Sequence, residues 1–96
     1  MPRYIILVSF TDQGIKSVKD TIKRAEAVRR RAEQLGGKLQ LFYTLGEYDL
    51  VGIGEMPNDE GAMQFALEVG SLGNVRTKTL RAWTEDEAAK VVAKLQ

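Results

Sequence analysis

The chain of 96 residues contains neither cysteine nor histidine. Without cysteine it has no disulfide and no thiol chemistry, and without histidine it lacks the commonest general base and the commonest metal ligand. Catalytic pairs of serine or cysteine with histidine are excluded for the same reason. A zinc or copper site is not expected, and we predict that the protein uses no metal and no other cofactor.

Long apolar runs and an excess of one charge are also missing. The apolar run at residues 4–10 is too short to span a membrane, and its flanks do not suit a signal peptide. The net charge is only +1 and the charged fraction is 28%, so no bulk electric field favours nucleic acid or a membrane as a partner. We therefore predict a cytoplasmic protein that binds neither.

The hydrophobic pattern divides the chain into four strands and three helices. Residues 4–10 and 50–55 are apolar on both faces, which is typical of central strands, whereas residues 38–45 and 76–83 alternate as edge strands do. Apolar spacings of three and four predict helices over residues 15–35 and 60–72. Asn58 or Asp59 is the expected N-cap of the second helix. Thr84 and Glu87 form a capping box that starts a third helix, and the Gly-Glu pair at 46–47 predicts a two-residue hairpin turn.

This order, β-α-β-β-α-β plus a C-terminal helix, predicts an α+β fold of the ferredoxin-like type in one domain, residues 1–96. Right-handed crossovers place the first and third strands in the middle of a four-stranded antiparallel sheet, with the two long helices on one face. The other face of these two strands is also apolar and would be left uncovered, which marks an interface. We therefore expect two sheets to pack face to face in a homodimer or higher oligomer. The last helix either covers its own sheet or contacts the partner.

The charges are unevenly distributed along the chain. Residues 1–45 hold nine Lys and Arg against four Asp and Glu, whereas residues 46–96 hold five against nine. This asymmetry reflects solvated faces or aids self-association. The three arginines at 29–31 are best explained as a solvated helix face. The RNA-binding version of this fold needs aromatic residues on the third strand, and residues 50–54 contain none.

Four residues are candidates for binding a ligand. Tyr48 and Asp49 lie at the start of the third strand, where they provide a phenol and a carboxylate for acid–base chemistry or ligand binding. Alternatively, Tyr48 packs and Asp49 accepts backbone hydrogen bonds. Asn74 and Arg76 lie between the second helix and the fourth strand, and Arg76 either binds a carboxylate or phosphate or pairs with Asp49 or Glu47. No catalytic residue is assigned.

The glycines of the third strand are a second feature. Gly52 and Gly54 lie on one face, where the missing side chains allow a helix, a second subunit or a ligand to approach closely. Packing is the favoured explanation.

Three segments resemble the GYD-domain family: GEYDLV at 46–51, GSLGNVRT at 70–77 and LRAW at 80–83. The family takes its name from a Gly, a Tyr and an Asp that correspond to Gly46, Tyr48 and Asp49. The resemblance covers nearly the whole chain. It implies a small bacterial or archaeal ferredoxin-like protein of the dimeric α+β barrel type, and it implies no activity.

Three classes of function are compatible with these features. The favoured one is a homo-oligomeric binding or sensor module for a small anionic or aromatic molecule. The second is a cofactor-independent isomerase or oxygenase acting on a small cyclic or aromatic compound, with Asp49, Glu47 or Tyr48 as the base, and it rests on fold analogy alone. The third is a purely structural protein whose sheet face only self-associates.

Overall fold

The computed structural model describes all of residues 1–96. Four strands form one antiparallel sheet in the spatial order β2-β3-β1-β4. The first and third strands are therefore central, as the sequence predicts. The strands are β1 (Arg3–Phe10), β2 (Lys38–Tyr43), β3 (Leu50–Glu55) and β4 (Val75–Ala82), and the helices are α1 (Asp12–Lys16), α2 (Thr21–Gln34), α3 (Asp59–Ser71) and α4 (Glu85–Val92).

One face of the sheet is covered by α2 and α3. Tyr4 on β1 lies opposite Gly54 on β3 and forms a buried cluster with Ala32 of α2, Phe65 of α3 and Met56. The glycines of β3 are explained by packing, because the side chain of Leu39 lies directly over Gly52 and Gly54. The space left by two missing side chains is thus filled from within the chain.

The other face of the sheet, here called the open face, is covered by no helix. The strand register identifies the residues of this face, because alternate residues of a strand point to opposite sides of the sheet. It consists of Arg3, Ile5, Leu7 and Ser9 of β1, Lys38, Gln40 and Phe42 of β2, Val51, Ile53 and Glu55 of β3, and Arg76, Lys78, Leu80 and Ala82 of β4.

The helix predicted over residues 15–35 is interrupted, so that prediction is wrong at its N-terminal end. The backbone leaves helical geometry at Ser17 (φ −107°, ψ 31°), and a 3₁₀ turn (Val18–Asp20) separates α1 from α2. Arg24 donates hydrogen bonds to the carbonyl oxygens of Ser17 (2.9 Å) and Gly14 (3.1 Å), which satisfies backbone groups at the break. Val18, counted in the apolar stripe of the predicted helix, is consequently exposed. At the C-terminal end, Gly36 adopts φ +88° and ends the helix as expected.

The predicted two-residue turn at residues 46–47 is also wrong. The Thr44 N–H donates to the carbonyl of Asp49 (3.0 Å), so the loop encloses the four residues 45–48. The Thr44 hydroxyl donates to the Tyr48 carbonyl (2.6 Å), and Gly46 supplies a positive φ of 103°. Strand β2 therefore ends at Tyr43, two residues earlier than predicted.

The two remaining helices begin where the sequence indicates. Asn58 is the N-cap of α3 and accepts the Gly61 N–H. The capping box of Thr84 and Glu87 is present at α4. Beyond this cap, α4 makes no extensive contact with another helix or strand, and all of its residues are exposed. The radius of gyration is 14.7 Å, against about 12.5 Å for a compact domain of this length, because α4 projects from the body.

Candidate functional site

Asp49 connects the end of β1 to the start of β3. Its carboxylate Oδ2 accepts the Phe10 N–H (2.8 Å), and its own N–H donates to the Val8 carbonyl (2.9 Å). These bonds extend the β1–β3 pairing by one step beyond the regular ladder. The Asp49 side chain therefore has a backbone-capping role, which is the second of the two interpretations that the sequence allows.

We expect Asp49→Ala to lower the free energy of unfolding by about 1–3 kcal/mol, because it leaves the half-buried Phe10 N–H without an acceptor. Asp49→Asn keeps a side-chain oxygen at this position, so it should cost less. Chemical denaturation followed by circular dichroism measures both variants, and Glu47→Ala, in the exposed loop, is the control. An Asp49→Ala variant as stable as the Glu47→Ala variant would show that the Phe10 N–H is satisfied in another way.

Tyr48 lies beside a cation of the open face. The Lys78 ammonium is 5.7 Å from the centroid of the half-buried Tyr48 ring, a cation–π distance. Lys78 faces Leu7 across the β1–β4 pairing. The phenol ring of Tyr48 thus belongs to the same end of the sheet as Lys78.

Arg76 is on the open face as well, opposite Ser9 of β1. The four ion pairs of the chain involve Arg3, Arg31 and Arg81. The alternative in which Arg76 pairs with Asp49 or Glu47 is therefore wrong, because neither carboxylate comes within 4.0 Å of it. The Arg76 guanidinium is left available to an external anion.

Asn74 forms hydrogen bonds with the segment that follows β1. Its backbone carbonyl accepts the Thr11 N–H (3.1 Å), and its side-chain Oδ1 accepts a hydrogen bond from Gln13 Nε2 (2.9 Å). The Thr11 hydroxyl also donates to the neighbouring Gly73 carbonyl (2.5 Å). These bonds attach the start of α1 to the start of β4. Asn74 thus holds two elements together, at the same end of the sheet as Tyr48, Asp49 and Arg76.

A cavity of about 80 Å³ lies between the sheet and the helix pair. Of the 23 residues that line it, 16 are hydrophobic, and they include Val8 from β1, Ala25 from α2 and Ala66 from α3. Arg31 of α2 and Glu68 of α3 bridge the two helices with a bidentate ion pair (2.7 and 3.0 Å). The hydrogen bonds from Arg31 lower the pKa of the Glu68 carboxyl, but both side chains are partly exposed and the pair adds little to stability.

A polar cluster that the sequence did not indicate lies beside this cavity, and we call it the Tyr4 cluster: Tyr4, Asp59, Arg81 and Trp83. The Tyr4 hydroxyl donates to Asp59 Oδ1 (2.5 Å). The Arg81 guanidinium lies 4.5 Å from the Trp83 ring centroid and 5.7 Å from the Tyr4 ring centroid, and its Nε is 4.0 Å from Asp59. The sequence signals were a tyrosine on the inward face of β1 and the LRAW segment at 80–83, and neither pattern shows that these residues meet Asp59.

Burial raises the pKa of the Tyr4 hydroxyl, and the hydrogen bond to Asp59 raises it further. A raised pKa in the folded state means that this contribution to stability is present below the ordinary tyrosine pKa of about 10 and is lost as the pH rises through the folded value. We expect an ultraviolet absorbance titration to show a late component, a tyrosine that ionises above the ordinary tyrosine range. Tyr4→Phe should remove that late component, whereas Tyr43→Phe should leave it. A late component that persists in Tyr4→Phe would contradict the assignment.

Comparison with known proteins identifies the family of the chain. A profile of the GYD domain matches residues 4–92. The chain belongs to the GYD domain family. It is 31% identical over 84 residues to the glutamine synthetase and cystathionine beta-lyase binding protein of Thermus thermophilus, an alignment that covers 85% of this chain and 88% of that protein. The family resemblance noted in the sequence is confirmed.

Solved structures share the fold of this GYD-family chain. The crystal structure of TTHA0845 from Thermus thermophilus matches with a TM-score of 0.58 at 22% identity. The protein At3g17210 of Arabidopsis thaliana matches with a TM-score of 0.57 at 12% identity. Each match covers 88% of this chain and 95% of the other. They support the α+β architecture. Each helix of the chain is too short or too polar to span a lipid bilayer.

Proposed function

We propose that this GYD-family chain is a cytoplasmic, homo-oligomeric binding module that assembles as a dimeric α+β barrel and binds other proteins. The observation that carries the proposal is the open face. Its centre is formed by Ile5, Leu7, Val51 and Ile53, and it continues to Phe42 and Leu80 on the edge strands. Phe42, Ile53 and Leu80 are 44%, 41% and 50% exposed in the single chain. A contiguous apolar surface of this kind marks an interface.

Face-to-face packing of two such sheets buries this surface and leaves both helix layers outside. The outer side of α3 then carries Met63 and Leu67, one helical turn apart, with Leu72 just beyond the helix, and these are 62%, 66% and 63% exposed. These side chains provide a second apolar surface that the dimer itself does not use. We assign it to the contact with partner proteins.

The relative from Thermus thermophilus suggests which proteins these partners are. It is named for binding glutamine synthetase and cystathionine beta-lyase, and the present chain shares most of its length with it. We therefore infer that the present chain binds enzymes of one or both of these types. Asp49, one of the three candidate bases of the enzyme alternative, accepts the Phe10 N–H through Oδ2 and so has a structural role, and we propose no reaction.

Two measurements test this function. Native mass spectrometry of the purified chain should show a dimer or a multiple of it. Calorimetric titration with purified glutamine synthetase and cystathionine beta-lyase of the source organism should give saturable binding that is lost in Met63→Ser/Leu67→Ser. Glu26→Gln/Lys23→Gln, on the exposed side of α2, is the matched control. A monomer would refute the assembly, and an oligomer that binds neither enzyme would leave only the purely structural alternative or a small-molecule role.

The helix–sheet cavity favours a second candidate, which is binding of a small apolar or aromatic molecule. At about 80 Å³ it is roughly half the ~150 Å³ that holds benzene in an engineered apolar cavity, so an aromatic ligand requires α2 and α3 to move apart. A ligand panel screened by NMR should shift resonances of Val8 and Ala66. Ala66→Leu, which fills the cavity, should abolish the shifts, whereas Gly70→Ala on the same helix should not. No shift with any compound would reject this candidate.

A further inference from the structure

Helix α4 is well formed and yet has no partner within its own chain. The capping box satisfies its first turn, which accounts for local helical order. Its apolar residues nevertheless lie in solvent, and Val91, Val92 and the following Leu95 are 55%, 61% and 72% exposed. Within α4, Ala88, Val91 and Val92 recur at spacings of three and four and form one face of the helix. An amphipathic helix that projects from the body presents this face to another molecule.

The charges of α4 indicate the charge of the surface that it contacts. Its first turn contains Glu85, Asp86 and Glu87. Only Glu87 has an ion-pair partner, the Arg3 guanidinium at 3.5 Å. Arg3 is on the open face, so the base of α4 lies at the edge of that face. The carboxylates of Glu85 and Asp86 are left without a cation in their own chain.

The open face has an excess of positive charge, opposite to that of the first turn of α4. It holds four basic side chains and one acidic one, and Arg3 pairs with that one, Glu55, at 3.1 Å. Lys38, Arg76 and Lys78 form no ion pair. Packing two open faces together would bring these three cations from each copy close to one another, which is unfavourable unless acidic groups accompany them.

The strand register determines which acidic groups can reach these basic residues in the dimer. Ala82, after which α4 begins, lies opposite Arg3, whereas Arg76 lies opposite Ser9. These two rows are six residues apart, about 20 Å. The first turn of α4 is therefore too far along β4 to meet Arg76 of its own chain, and Lys78 forms no ion pair with it. A two-fold axis perpendicular to the strands, however, lays the Ala82 end of one copy over the Arg76 end of the other.

We propose that α4 crosses to a second copy of this chain, where Glu85 and Asp86 lie against Arg76 and Lys78. The contact occurs twice in a two-fold dimer. The apolar face of α4 then extends past the end of the partner's sheet, the end at which α1 follows β1 and where Ile15 and Val18 are 50% and 38% exposed. The inference rests on the proposed self-association through the open face, and it adds the orientation of the two copies and the residues that select it.

Charge exchange between two variants tests the contact. One variant is Arg76→Glu/Lys78→Glu and the other is Glu85→Lys/Asp86→Lys. Either alone places like charges at both contacts, so its dimer dissociation constant should rise at least about tenfold. In a mixture, each contact of the heterodimer again joins opposite charges, and native mass spectrometry should show the heterodimer in large excess over both homodimers. All four positions are exposed, so both variants should retain the wild-type circular dichroism spectrum.

Two controls separate the possible results. Glu26→Lys/Glu33→Lys reverses two exposed charges on α2 and should leave the dimer unchanged. Val91→Asp/Val92→Asp alters only the apolar face of α4 and should weaken the dimer. A wild-type chain that stays monomeric overturns the proposed assembly. A wild-type dimer with statistical mixing of the charge variants overturns the α4 contact alone and leaves the open-face assembly standing.

Discussion

Ile53→Asp is expected to convert the proposed dimer into a folded monomer. Ile53 lies near the centre of the open face, between Ile5 of β1 and Gln40 of β2. In the single chain it is 41% exposed, so a carboxylate there remains hydrated and the monomer should lose no more than about 1 kcal/mol of stability. In a face-to-face dimer the same carboxylate is buried without a partner, which costs several kcal/mol at each of two symmetric positions.

Sedimentation velocity across a hundredfold range of concentration measures this outcome, and denaturation confirms that the variant is folded. Met63→Asp is the matched control, because Met63 is an exposed apolar residue on the outer side of α3. It should remain oligomeric. If Ile53→Asp is as oligomeric as the wild type, the chains assemble through another surface and the open face requires a different occupant.

The monomeric variant also separates assembly from partner binding. Its α3 surface is intact, so a partner enzyme that contacts only this surface should still bind each monomer, although the avidity of two linked sites would be lost. Calorimetry with the Ile53→Asp variant and the wild type compares the expected monomer and the proposed dimer directly. Equal affinity per chain would indicate that a partner engages one subunit at a time.

Gly14→Ala is expected to lower the free energy of unfolding by about 3 kcal/mol, at the upper end of the usual cost of overpacking. A Cβ atom on Gly14 would overlap the carbonyl oxygen of Asn74 and lie 2.9 Å from its carbonyl carbon. These are backbone atoms, and the same oxygen accepts the Thr11 N–H. They cannot move away without breaking the attachment of α1 to β4.

The opposite sign is expected for Gly70→Ala. Gly70 lies in α3, and a Cβ atom there meets nothing within 4 Å. Alanine should stabilise the helix by about 0.5–1 kcal/mol, because glycine loses more backbone entropy on folding. Urea denaturation of both variants gives the comparison. A Gly14→Ala variant that is as stable as Gly70→Ala would show that α1 is not held against Asn74 in solution.

These contacts assign structural roles to residues that the sequence marks as candidates for binding. The Asp49 carboxylate accepts the N–H of Phe10 in β1, and the Asn74 carbonyl accepts the N–H of Thr11 just before α1. A carboxylate and an amide at loop positions attract a functional interpretation because loops carry many binding residues. Here their hydrogen bonds join segments that are far apart in the chain. Of the four candidate binding residues, Arg76 is the only cation, and it forms no ion pair within the chain. It is also the candidate that takes part in the proposed α4 contact.

The sequence by itself determined the α+β class, the central positions of the first and third strands and the caps of the last two helices. The reason is that the apolar runs at residues 4–10 and 50–55 and the side chains of Asn58 and Thr84 are local features, each readable within a few residues of the sequence. The apolar second face of the central strands also predicts the open face.

Tertiary structure alone decided the break at Ser17, the four-residue loop before Asp49 and the Tyr4 cluster. The apolar residues keep their spacing of three and four across the break at Ser17, so the hydrophobic pattern could not reveal it. The carbonyl groups at the break accept hydrogen bonds from Arg24, seven and ten residues away. The Tyr4 cluster joins positions 4, 59 and 81 through strand register and helix placement. Such contacts depend on how distant segments meet, and the periodicity of a single segment carries no information about that.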